Sequence, residues 1–365
     1  MKMRLFTVSL IFLLFLASQT ETVNSFQNCN QTPFCKRARS RKPGSCNLIA
    51  RNVSISVDGD LTAKLIPKGE GGQIKPLALC VSVSRVGIMR VKIKMDEEDP
   101  ASSSFDIVPW LQRFEARIKV RLEKAWTELE VDGGDGGRRR SLSTVVNLSE
   151  GFEAVLRHEP FEVYVREKAA GNKGRIVVSF NSNGLFDFEE LNRSISFDVS
   201  FYGSDSAYGI TERNALTIAP TKGPGVEEEY SKPYTWFNID VFEYWNSPPP
   251  YNARGFYGLS PFMAAHGRNG SSGFLWLNAA EMQIDVLGNG WDAAAEDGNR
   301  MDTIWTSAAA AGSTVDTFFL VGPKPKDVVR QYTAARGRPA QPLLLVLTLQ
   351  KYWLILLLIM IISYL

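Results

Sequence analysis

Histidine and cysteine are scarce in this chain: two and four among 365 residues. Only His158 and His266 are available to join Cys29, Cys35, Cys46 and Cys80, and no C-x-x-C occurs, so a zinc site is not expected. There is no G-x-S-x-G, and neither histidine stands in a recognisable nucleophile motif, so both read as structural. An excess of charge is missing too. Lysine and arginine number 41 against 39 acidic residues, a formal +2, which gives no general attraction to nucleic acid. With 44% hydrophobic and 22% charged residues, the chain is not wholly disordered, collagenous or coiled-coil.

The two ends differ from the middle. Residues 1–25 carry Lys2 and Arg4, then an apolar run from Leu5 to Ala17, then small and polar residues. That order describes a secretory signal peptide, cut after Gln19 or after Ser25. In an oxidising compartment cysteines tend to pair. Cys29 and Cys35 enclose a short loop with Pro33, so a local bridge is expected there; Cys46 with Cys80 is a weaker second pair. Five Asn-x-Ser/Thr sequons suit the same compartment, at Asn30, Asn52, Asn147, Asn192 and Asn269. At the other end, residues 343–365 hold one charge, Lys351. As a helix this stretch is long enough to cross a bilayer, although Lys351 is costly there. It reads as a membrane anchor, a piece of a larger core, or a non-native tail.

Between about Asn47 and Leu320 the apolar pattern repeats every second residue. Val91, Ile93 and Met95 alternate with Lys92 and Lys94, and Ile195 to Phe201 alternates cleanly. Phe161–Val165, Arg175–Phe180, Gly273–Leu277, Met282–Val286 and Val315–Val321 continue the series, separated by Gly- and Asn-rich turns. Many strands with few helices imply a large antiparallel β-sandwich or barrel. One helix is predicted, over Pro325 to Arg336, started by Pro325 and ended by Gly337. Val131 to Arg140 is Gly-rich and then basic. No convincing helix follows it, so it reads as a solvated loop rather than a phosphate cradle. The basic run Lys36 to Lys42 reads as an exposed N-terminal segment.

A family resemblance goes further. Tyr234-Thr-Trp-Phe-Asn-Ile-Asp-Val-Phe-Glu-Tyr-Trp245, Phe256 to His266, Gly273 to Glu281 and Asp316 to Tyr332 resemble ordered blocks of the glucosidase II α-subunits, in glycoside hydrolase family 31. Asn28 to Arg37, Arg157 to Phe161 and Ala207 to Glu212 are similar to further blocks. The resemblance implies an N-terminal galactose-mutarotase-like sandwich. In that family it precedes a (β/α)8 barrel holding an Asp nucleophile and an Asp acid/base, which remove α-linked glucose with retention. The barrel's W-x-D-M-N-E type motif does not occur here. A barrel needs about 250 residues, and the match ends near Pro342. Without a carboxylate pair there is no double displacement, so no turnover is expected from these residues alone.

The resemblance also marks Asp240 as the residue that reaches a terminal glucose, with Trp236, Phe242 and Tyr244 beside it. The alternative is that Asp240 caps a turn and the aromatics fill the core. The expected organisation is a signal peptide (1–25), a Cys-containing segment (26–46), a sandwich (47–322), a helix and linker (323–342) and an apolar tail (343–365). The resemblance implies a glucosylated N-glycan and a β-subunit as partners, the endoplasmic reticulum lumen or secretory pathway as location, and no cofactor or metal. Three roles follow as expectations: a non-catalytic carbohydrate-associated sandwich, part of an α-glucosidase that trims N-linked glycans, or a membrane-anchored glycan-binding module.

Overall fold

The computed structural model describes residues 29–46, 48–68, 76–84, 86–95, 127–132, 140–169, 174–190, 193–204, 206–211, 217–223, 226, 232–236, 258–267, 270–278, 280–287, 299–308 and 315–337. The proposed signal peptide and the 343–365 tail fall outside them. None of the described helices is long and apolar enough to cross a membrane.

A helix, α1 (Pro33–Ser40), opens the described chain. Eighteen described strands follow: β1 (Leu48–Ile55), β2 (Leu61–Pro67), β3 (Leu77–Val83), β4 (Met89–Met95), β5 (Thr127–Asp132), β6 (Arg140–Asn147), β7 (Phe152–Arg157), β8 (Glu162–Glu167), β9 (Ile176–Phe180), β10 (Asp187–Glu189), β11 (Ser194–Tyr202), β12 (Ser206–Thr211), β13 (Tyr234–Trp236), β14 (Leu259–Gly267), β15 (Gly270–Trp276), β16 (Met282–Leu287), β17 (Arg300–Ser307) and β18 (Val315–Gly322). Helix α2 (Pro325–Arg336) comes last. An eight-stranded sheet runs β1-β2-β3-β4-β18-β15-β14-β12, and a ten-stranded sheet runs β13-β16-β17-β11-β9-β8-β7-β6-β5, with β10 on β11. All named pairs are antiparallel.

Strand alternation sends one side chain in two to a shared core. Phe180, Phe197 and Trp305 of the ten-stranded sheet meet Phe274, Trp276 and Phe319 of the other. Phe197 stands edge-on to Trp276 with ring centroids 4.7 Å apart, and Phe274 to Trp305 at 4.8 Å. The indole N–H of Trp305 donates to the Thr303 hydroxyl, so its one polar group is satisfied inside.

The central strands are buried on both faces, which the period-two pattern does not foretell. On the eight-stranded sheet the cover is α2, whose Val328 and Ala335 pack on Leu275, Phe318 and Leu320. Tyr332 stacks on Phe262 at 4.4 Å. The helix comes so near that a Cβ at Gly273 would stand 2.7 Å from Val328 and 2.9 Å from Phe262. On the ten-stranded sheet one cover is the N-terminal segment. The reading of Lys36 to Lys42 as merely exposed is therefore corrected. Pro33 starts a helix that buries Phe34, Cys35 and Ala38, and its arginines reach the sandwich. Val131 and Asp132 likewise lie in β5 and Arg140 in β6, so the expected loop begins and ends in strand.

Candidate functional site

The residue singled out for sugar contact, Asp240, lies outside the described residues, as do Phe242 and Tyr244. What is described is the stem from which that segment leaves. Strand β13, last in the described ten-stranded sheet, pairs with β16. The buried Tyr234 hydroxyl donates to the Ala219 carbonyl at 2.9 Å and accepts from the Ala219 N–H at 3.0 Å. The Trp236 indole N–H donates to the Ile210 carbonyl at 3.2 Å. Ile210 sits in a bulge of β12, with φ of 71°, next to Gly209 at 103°. A β-branched residue at positive φ is strained and survives only where its surroundings hold it. Here the Trp236 bond helps to hold it, tying β12 of one sheet to β13 of the other.

A second polar region lies on the outer face of the ten-stranded sheet. Asp198 of β11 is fully buried and accepts from the Asn183 N–H at 2.8 Å and the Leu185 N–H at 3.0 Å. Burial pushes its carboxyl up to about 6, against those two hydrogen bonds. Arg300 donates to Asp302 at 2.8 Å, to Asn183 Oδ1 at 3.0 Å and to Ser200 at 3.1 Å, and it stacks over Tyr202. Glu162 pairs with Arg157 at 2.7 Å, and burial raises its carboxyl as well. A carboxyl near 6 has the acidity a general acid needs. Asp198, however, is shut from solvent, and its bonds close the 181–185 turn against the sheet. The network is a strut for that turn.

A third region joins α1 to the same face. Arg39 grips Asp285 with Nε and one Nη, at 2.8 and 2.9 Å. Thr221 adds a hydroxyl to Asp285 at 3.0 Å, and Lys222 reaches the Arg39 carbonyl. Arg37 pairs with Glu189 and Arg41 with Asp187. Cys29 and Cys35 are disulfide-bonded across the start of α1. Cys46 and Cys80 are free thiols, so the weaker pairing is corrected: they belong to different parts of the fold, and burial lifts each to about 11. Sequence reasoning missed Asp198, Asp285, Asp302, Arg39 and Arg300. The signal was present, because an aspartate inside ISFDVSF, MQIDVL or RMDTIW needs a partner once both faces are covered.

The histidines serve the scaffold. His158 is buried against the Thr144 hydroxyl at 2.8 Å, and His266 meets Ser271 at 2.9 Å. Among the described residues no group of three or more His, Cys, Asp or Glu is placed to hold a metal ion. Asn52 and Asn147 are exposed. Asn30 lies in a short 3-10 turn with its side chain outside the description, and Asn192 and Asn269 are also outside it.

Residues 78–285 match the glycosyl hydrolase 31 N-terminal galactose mutarotase-like domain. A probable glucan 1,3-alpha-glucosidase of Arabidopsis thaliana is 49% identical over 94% of this chain and 39% of its own length. The glucosidase 2 subunit alpha of Schizosaccharomyces pombe is 24% identical over 93% of this chain and 39% of its own length. The solved glucosidase II alpha subunit in its Tris-bound form superposes with a TM-score of 0.65 at 24% identity, over 87% of this chain and 38% of that one; the likeness is one of fold. The chain thus spans about two fifths of the length of these curated relatives.

Proposed function

Because the chain belongs to the glycosyl hydrolase 31 family through that family's N-terminal galactose mutarotase-like domain, we propose that it works as the sandwich portion of an α-glucosidase of the glucosidase II type. The observation that carries this is the 49% identity along 94% of the chain to a relative named as a probable glucan 1,3-alpha-glucosidase. In this reading the sandwich supplies support and one sugar contact, Asp240, and the bond-breaking groups belong to a barrel. Among the described residues all paired strands are antiparallel, whereas a (β/α)8 barrel is built from parallel ones.

The substrate class proposed is α-linked glucose, with a glucosylated N-glycan as the physiological form and a β-subunit as partner. The proposed setting is the endoplasmic reticulum lumen, reached with a signal peptide over 1–25 and accompanied by N-glycosylation. The domain division stays as read from the sequence: 26–46 as a stapled lead segment, 47–322 as the sandwich and 323–342 as the way toward a barrel. The purified 365-residue chain, assayed on a chromogenic α-glucoside and on an α-1,3-linked glucose disaccharide, is expected to release no glucose above a mock preparation. Turnover that survives further purification overturns the reading.

A further inference from the structure

Among the described strands β1 pairs with β2 alone, so it is the outermost strand of the eight-stranded sheet. Its outward edge has two halves. The Ala50 N–H donates to the His158 carbonyl at 2.9 Å, and the Phe161 N–H donates to the Leu48 carbonyl at 2.8 Å, so the β7–β8 corner covers the first half. At Asn52 the chain enters the left-handed region, φ 53°, and the register shifts before pairing resumes at Ser54 with Thr62. From Arg51 to Ile55 no backbone hydrogen bond leaves the outward edge among the described residues. Apolar side chains mark its end: Ile55 is 50% exposed and Val57, in the turn that follows, fully so. An open edge tipped with apolar groups is a template for pairing with another chain, and proteins blunt such edges.

The Asn52-Val53-Ser54 sequon sits at the start of this open half. Val53 packs on the core while Asn52 and Ser54 are exposed. We propose that Asn52 carries an N-linked oligosaccharide, and that this glycan caps the open half of β1 against pairing with the same edge of a second copy. The proposal rests on the secretory reading above. In the transfer the Asn52 amide nitrogen bonds to the anomeric carbon of an oligosaccharide activated as a lipid diphosphate. The bond from that carbon to the diphosphate oxygen breaks, the lipid diphosphate leaves, and the nitrogen gives up one proton to a base of the transferring enzyme. The attached sugar is bulky and solvating. Asn147 is exposed as well, but β6 lies between β5 and β7, so a glycan there leaves no open edge covered.

The test expresses the full chain in cells that add N-glycans, maps occupied asparagines by mass spectrometry and measures mass in solution by light scattering. Ser54→Ala removes the sequon without touching the left-handed Asn52; Ser54→Thr keeps it. The expected result is an occupied Asn52 in the wild type and in Ser54→Thr. Ser54→Ala then loses one glycan and shifts from monomer to dimers and larger species. Trimming the folded wild type with an endoglycosidase gives the same shift without a mutation. A glycan at Asn147 with a bare Asn52 overturns the inference and leaves the compartment reading standing. A chain with no glycan at any site overturns both. An occupied Asn52 whose removal by either route leaves the mass unchanged overturns the capping role.

Discussion

Replacing Arg39 by methionine tests whether the N-terminal helix is bonded into the sandwich or merely lies on it. The guanidinium gives Asp285 two charge-assisted hydrogen bonds, and the Asp285 side chain is only 3% exposed. Removing one partner of a buried pair costs about 3–5 kcal/mol, because the other charge is left uncompensated. The Thr221 hydroxyl and the Lys222 cation remain near Asp285. The lower end, about 3 kcal/mol, is therefore expected. At about 2–4 °C per kcal/mol the melting temperature falls by about 6–12 °C. Methionine keeps the stem's packing, so the loss belongs to the charge.

The loss should also depend on pH. Burial raises the Asp285 carboxyl, and Arg39 pulls it back down. Without Arg39 the folded-state value rises further. A carboxyl whose folded value exceeds its unfolded one gives stability that is full below the unfolded value and is lost as pH rises through the folded one. The Arg39→Met deficit should then be small near pH 4 and grow toward pH 7. Thermal unfolding followed by circular dichroism, with Asp285→Asn and the double variant completing a cycle, reads both effects. A deficit below about 1 kcal/mol, typical of an exposed pair, or one that does not change with pH, refutes the clamp.

Three further outcomes follow from the same structure. Asp198, at about 6 in the fold against 3.8 unfolded, should withdraw about 3 kcal/mol of stability as pH rises from about 4 to about 6. Asp198→Asn should flatten that slope in urea unfolding, and an unchanged slope shows that Asp198 does not titrate as described. Gly273→Val should cost about 1–3 kcal/mol by overpacking against Val328 and Phe262. It should also speed backbone hydrogen exchange within α2, and unchanged exchange means the helix does not rest on that strand. With burial holding Cys46 and Cys80 at about 11, both thiols should react slowly with a disulfide reagent in the native chain and rapidly on unfolding without reductant. Two thiols should then appear; none would mean that Cys46 and Cys80 are bridged, and four would mean that Cys29–Cys35 is open.

Period two found the strands because packing of one sheet on another selects alternate residues. Ile195, Phe197, Val199 and Phe201 all face the core as their spacing implies. The same pattern misjudged the opposite face. Ser196, Asp198 and Ser200 alternate with them, yet all are buried: the nearby 181–185 turn bonds Asp198, while Arg300 and Thr306, about a hundred residues away, reach Ser200 and Ser196. The N-terminal helix was hidden for a related reason. Three of its eight residues are charged, and Phe34, Cys35 and Ala38 alone give its buried side. The partners of its arginines lie up to 246 residues away. The stem below Asp240 was half legible: Tyr234 and Trp236 stood out as aromatics, but no local pattern announces that a tryptophan will bond the carbonyl of a strained isoleucine.

In its sheet β4 lies between β3 and β18, and on the β18 side Ile93 stands opposite Val315. At about 5–20 residues per second, a ribosome that has finished β4 needs about 10–45 s to deliver its neighbour. Throughout that interval β4 lacks, among the described strands, its companion on that side, while β6 through β9 can zip up hairpin by hairpin as they emerge. Folding of the two sheets is therefore staggered in time, and the eight-stranded sheet is completed only once β18 arrives.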